Sequence, residues 1–80
     1  MAFKKTQITN NIVRKIGKIG GLSSSGYTKE LNLVSWNNGE AKYDIRDWSE
    51  DYARSSKGIT LSVDELKTLK ALLDEEIKKL

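Results

Sequence analysis

The sequence predicts an α+β domain, with four antiparallel strands followed by one C-terminal helix. Three observations carry this. After Ser62 the apolar residues recur every three or four positions, whereas before it they alternate or run in short β-branched stretches. An Asn-Gly pair joins the two clearest alternating segments. The whole chain is 80 residues, enough for one core and no second domain.

Residues 1–10 read as an N-terminal arm, 12–61 as the sheet and 62–80 as the helical segment. The first strand, Ile12 to Ile19, mixes β-branched apolar residues with Arg14, Lys15 and Lys18. Gly20 to Gly26 is a Gly/Ser loop. From Tyr27 to Asn37 the chain alternates: Tyr27, Leu31 and Leu33 share one face, and Glu30, Asn32, Val34 and Trp36 the other. Asn38-Gly39 suits a type I′ turn, which needs positive φ at both central positions. The return strand, Ala41 to Trp48, places Tyr43 and Ile45 on one face and Lys42, Asp44, Arg46 and Trp48 on the other. Ser49 to Ser56 is a polar loop, and Gly58 to Leu61 a short fourth strand. Ser62 and Glu65 form an S-x-x-E capping box. The stripe Val63, Leu66, Leu69, Leu73, Ile77 and Leu80, widened by Leu72, predicts an amphipathic helix from about Val63 to Lys79. Asp64 and Glu65 sit at its start and Lys78 and Lys79 at its end, as the helix dipole prefers.

Composition then narrows the function. With no Cys there is no disulfide or thiolate metal site, and with no His the commonest general base and metal ligand are missing. No apolar run is long enough to span a bilayer. Met1 to Gln7 carries Lys4 and Lys5 with no apolar segment behind them, so a cytoplasmic protein without a secretory leader is expected. A chain of this size buries little core, and oligomerisation is the remaining way to stabilise it. The net charge of +3 is uneven: residues 1–61 carry +4 and residues 62–80 carry −1. All the aromatics (Phe3, Tyr27, Trp36, Tyr43, Trp48, Tyr52) lie in the basic part. Basic and aromatic residues in one region suit a nucleic-acid surface, with a solvated surface over an aromatic core as the plain alternative.

Alternation predicts that Leu31, Leu33, Tyr43 and Ile45 pack on the helix. The opposite face gathers Trp36, Lys42, Arg46 and Trp48. Burying two tryptophans beside two cations would take those cations out of water, so this face is expected to stay open or to be covered by a partner. Other chemical motifs fail on context. Gly17-Lys18-Ile19-Gly20 has a GxxG pattern but ends a strand, not a helix. Asp47, Ser49 and Asp51 imitate the start of a calcium loop, but Tyr52 and Gly58 stand where its Gly and Glu belong. Asp44 and Asp47 point to opposite sides of one strand, which separates them as metal ligands.

The order KYDIRDW, polar loop, KGITLS and amphipathic helix, preceded by ELNLVSWN, resembles the positive-cofactor-four transcriptional coactivator family, most nearly its short bacterial and phage members. The resemblance covers residues 12–80 and implies a curved four-stranded sheet with one helix. It also implies a homodimer with helices at the interface, and grooves that take single-stranded DNA with little sequence preference. By the match, Arg46 would contact the backbone, Trp36 and Trp48 would stack on bases, and Lys57 would supply the basic residue before Gly58-Ile59. Ser56 stands where some members have another basic residue. The Ser- and Lys-rich regulatory extension of the eukaryotic members is missing.

These readings converge on a non-enzymatic single-stranded DNA-binding protein of a bacterial or phage-infected cell, with RNA left open as a ligand. It would need no metal, cofactor or small-molecule substrate. Bases would stack on Trp36 and Trp48. Arg46, Lys42 and Lys57, with Lys29, Arg14 and Lys18, would meet phosphates. The rival reading is a protein-interaction adaptor or transcription cofactor using the same tryptophan face.

Overall fold

A computed structural model describes residues 10–80; the N-terminal arm expected over residues 1–10 lies, except for Asn10, outside them. The elements are β1 (Asn10–Lys18), β2 (Tyr27–Trp36), β3 (Lys42–Ser49), β4 (Ile59–Leu61) and α1 (Val63–Ile77). The strands form one antiparallel sheet in the order β1-β2-β3-β4, so each strand pairs with its neighbour in sequence.

The turn between β2 and β3 sits one residue earlier than expected. Asn37 and Asn38 are the residues with positive φ (52° and 62°), and Gly39 N–H closes the turn on Trp36 C=O at 2.8 Å. Asn enters the left-handed region with little penalty, so two adjacent asparagines serve here as well as Asn-Gly. Irregularities interrupt β1 between Ile12 and Arg14 and between Lys15 and Gly17. At the second, Ile16 N–H donates to Asn32 Oδ1 at 3.3 Å. The capping box forms as the sequence predicts: Glu65 N–H donates to Ser62 Oγ and Ser62 N–H to Glu65 Oε1. The helix stops at Ile77, so Lys78 caps it and Lys79 lies beyond, each bridging back to Glu75 and Glu76 respectively.

The two residue sets that alternation separates are on opposite faces, since opposed residues of paired strands share a face: Leu31 faces Ile45 and Asn32 faces Asp44. Their burial, however, reverses the expectation. Val34, Asn32 and Asp44 are fully buried, and Thr28, Glu30 and Trp48 nearly so. Leu31, Leu33, Tyr43 and Ile45 are only half-buried. The helix lies toward this apolar face but approaches only β3 and β4. Between them remains an apolar hollow lined by Leu31, Ile45, Leu66, Leu69, Leu73 and Ile77. No helix residue is buried, and Val63, Leu72, Leu73, Ile77 and Leu80 are exposed.

Candidate nucleic-acid interface

The polar face is built around two aromatic centres. At the β2–β3 turn, Trp36 lies beside Arg46, whose guanidinium carbon is 4.5 Å from the centre of the indole. Strand parity explains the pairing of Arg46 with Asp44: positions two apart on a strand project to the same side. Arg46 Nε and Nη2 donate to Asp44 Oδ1 and Oδ2, both at 2.8 Å, and Nη1 donates to Ser56 C=O at 3.4 Å. Asp44 is 0% exposed, and the Arg46 side chain 15%. The cation is thus satisfied by a carboxylate instead of water, which is how this face can close against the expectation that it stays open. Three of the five guanidinium N–H groups are used, leaving two for an incoming acceptor. An open groove beside this centre is lined by Trp36, Gly39, Glu40, Lys42, Arg46 and Thr60.

Gly58 makes this arrangement possible. A Cβ there would collide with Arg46 Cβ and the Ile45 carbonyl. The absence of a side chain lets the chain before β4 close over Arg46. Ser56 fixes the same segment, accepting from Asp47 N–H at 3.1 Å and donating to Lys57 C=O at 2.9 Å. It therefore has a structural task at the position that the sequence resemblance matches to a basic residue in some members.

The second centre holds Trp48, which is 1% exposed. The expected exposed stacking platform is thus absent at this position. The loop after β3 folds back over Trp48: Ser55 bridges to it, and the Tyr52 ring lies 5.8 Å away, tilted by 43°. Tyr52 reaches this place with φ at 60°, unusual for an aromatic residue. Its hydroxyl donates to Glu30 Oε2 at 2.7 Å, and Asn32 Nδ2 donates to Glu30 Oε1 at 3.1 Å. Hydrogen bonding to Glu30, then burial, then the Glu30 charge hold the Tyr52 phenol above its ordinary value. Lys15 Nζ lies over the Tyr52 ring, 3.8 Å from its centre. The loop itself is pinned by Asp51, which accepts from Ala53 N–H and Ser49 Oγ; these bonds, Ala53's first, stabilise its carboxylate and hold its pKa below the ordinary value.

Of the residues proposed from sequence, the fold brings Trp36, Lys42, Arg46, Trp48 and Lys18 to one face; Lys18 stands opposite Glu30. It does not bring Lys29 or Arg14 there. Lys29 is on the apolar side, bridged to Asp47 at 3.0 Å, and Arg14 stands opposite Leu33. Lys57 is exposed in the segment before β4. The sequence reading missed Asp44, Glu30, Asn32, Tyr52 and Lys15. The i, i+2 spacing of Asp44 with Arg46 was a usable signal. Nothing local in the sequence shows that Tyr52 folds back onto Glu30.

Comparison with known proteins agrees with this architecture. The family model described as Transcriptional Coactivator p15 (PC4) matches residues 23–72. A protein of Treponema pallidum (strain Nichols), described as uncharacterized, is 44% identical over 52 residues, 65% of this chain. The match spans 61% of that protein's length.

Proposed function

The chain belongs to the Transcriptional Coactivator p15 (PC4) family, a family of DNA-binding transcription cofactors, and from this premise we propose that it is a homodimeric single-stranded DNA-binding protein without catalytic activity. The observation that carries the reading is Trp36, a half-buried indole backed by Arg46 at an open groove with Lys42. Every base has a π-face, so stacking there tolerates any sequence, at about 1–3 kcal/mol per base. On this reading the two spare Arg46 donors, Lys42 and Lys18, which share that face, would meet phosphates. In duplex DNA the bases are paired and stacked away, which leaves only the electrostatic part.

The dimer rests on the other face. Leu72, Leu73 and Ile77 are exposed on the last helix, next to an apolar hollow that the chain itself does not fill. A second copy of the helix would cover both.

Intrinsic fluorescence tests the first part. Oligo-dT and mixed-sequence oligonucleotides should quench Trp36 alike, and blunt duplex should bind more weakly at the same salt. Trp36→Ala should lose about 1–3 kcal/mol of affinity with an unchanged salt slope. Lys42→Ala should flatten the log–log slope by roughly 0.7 per lost single-strand contact. Equal affinity for duplex would overturn the proposal.

A further inference from the structure

A second hollow lies on the polar face, at the end of the sheet away from Trp36. Lys18, Leu22, Thr28, Glu30, Trp48 and Tyr52 are among its walls, and its volume of about 430 Å³ is that of a small-ligand pocket. Three features of this hollow exceed what the fold requires. Glu30 is 3% exposed, yet its carboxylate receives only the neutral donors of Asn32 and Tyr52; no cation lies within ion-pair distance among the described residues. A carboxylate has about four acceptor positions, so about two stay open. Trp48 Nε1, like Trp36 Nε1 at the other end of the sheet, is buried with no acceptor among the described residues. Buried donors are seldom left so, and each one calls for an explanation. Tyr52 holds a left-handed backbone to complete the wall, and strain of this kind collects at ligand sites.

We propose that this hollow is a nucleobase subsite selective for guanine. Glu30 accepts from the adjacent N1–H and N2 amino group of the base, and Lys18 or Trp48 supplies a donor to O6. The pattern of donors and acceptors dictates the choice. Guanine alone sets two donors side by side on its pairing edge, the arrangement a carboxylate accepts in parallel. Adenine and cytosine place a bare ring nitrogen beside their amino group, and thymine flanks its single N–H with two carbonyls, each of which would face the carboxylate oxygens. The covered faces of Trp48 rule out stacking there, so recognition runs through base edges. The subsite rests on the single-strand reading above and adds a preference at one nucleotide to the tolerant stacking at Trp36.

Competition binding of the full chain at one salt concentration tests it. The probes are oligo-dT of about 12 nucleotides and the same strand with one central dG, dA or deoxyinosine, which lacks the N2 amino group. One dG should tighten binding about 5- to 100-fold, the range of a good bidentate base contact. Deoxyinosine should lose most of that gain and dA all of it. Glu30→Gln should abolish the preference for the dG strand over oligo-dT; circular dichroism checks that it folds. The deoxyinosine comparison needs no variant and decides the matter even if Glu30→Gln does not fold. Equal binding of the dG and dT strands overturns the subsite and leaves the single-strand reading standing. No binding of any strand overturns both. A preference that survives in folded Glu30→Gln removes Glu30 from the site.

Discussion

On one face of the sheet Thr28, Glu30, Asn32, Val34, Asp44 and Trp48 are each less than a tenth exposed; on the other, Leu31, Leu33, Tyr43 and Ile45 are half-buried beneath a helix with no buried residue. Apart from the groove beside Trp36 and the hollow beside Tyr52, the polar side is closed and the apolar side open, the reverse of an ordinary one-layer sheet. The polar side closes because its groups satisfy one another: Arg46 with Asp44, and Tyr52 and Asn32 with Glu30. Its cover comes from its own chain, the loop after β3. The apolar side needs no specific partner atoms, only area, and one short helix supplies too little. Burial in this chain therefore follows where cover is available more than it follows hydrophobicity.

The sharpest way to break the polar side is Arg46→Ala. It leaves Asp44 charged, buried and unpaired, and should cost about 3–5 kcal/mol. Thermal melts should show about 4–8 °C lost per kcal/mol for a domain of this size. Arg46→Lys should not restore it, because an ammonium lacks the two-pronged geometry. If Arg46 were only a phosphate ligand, neither change would move the melting temperature.

Asn32→Leu reverses the usual rule for improving a core. It adds apolar bulk at a fully buried position but orphans Ile16 N–H and one Glu30 oxygen. A loss of about 1–3 kcal/mol is expected in urea titration. A more stable variant would show that the polar network contributes nothing net.

On the apolar side, Ile77→Glu should hardly touch the fold of one chain, within about 0.5 kcal/mol for an exposed position. It should lower the mass seen by light scattering from twice 9.0 kDa to 9.0 kDa. A native protein already monomeric at micromolar concentration would refute the dimer.

The smallest effect is a titration. The Tyr52 phenol ionises above its ordinary value of 10.0 in the folded chain because its O–H donates a hydrogen bond to Glu30. The stability this bond contributes is full below pH 10 and is lost as pH rises through the folded value. Tyr52→Phe should remove the corresponding absorbance step from the alkaline difference spectrum and flatten stability against pH there.

Much of this comparison was legible from spacing. Period-two alternation separated Leu31, Leu33, Tyr43 and Ile45 from Asn32, Val34, Asp44 and Trp48, and Ser62 with Glu65 marked the helix start. Alternation reports parity, however, and not which side is covered. The deciding events are non-local: the Tyr52 backbone turning to positive φ, and the missing side chain at Gly58 admitting the segment before β4. Parity alone places Lys29 on the apolar face, against its assignment to the phosphate-binding set, and it was insufficient only for Arg14. Lys29 belonged to the odd set of β2, and the irregularities in β1 shift Arg14 against its partners. The turn was misplaced by one residue because Asn37-Asn38 and Asn38-Gly39 both tolerate positive φ.

Strand order in the sheet equals strand order in the chain. Each pairing therefore joins segments separated by one short connection, and the helix touches only the two strands just before it. Low sequence separation between contacts means little loop entropy is lost before contacts form. The chain should collapse quickly, with the β2–β3 hairpin as its nucleus. Stopped-flow refolding should then show Asn38→Ala slowing folding, while Leu61→Ala, at the late-joining β4, mainly speeds unfolding.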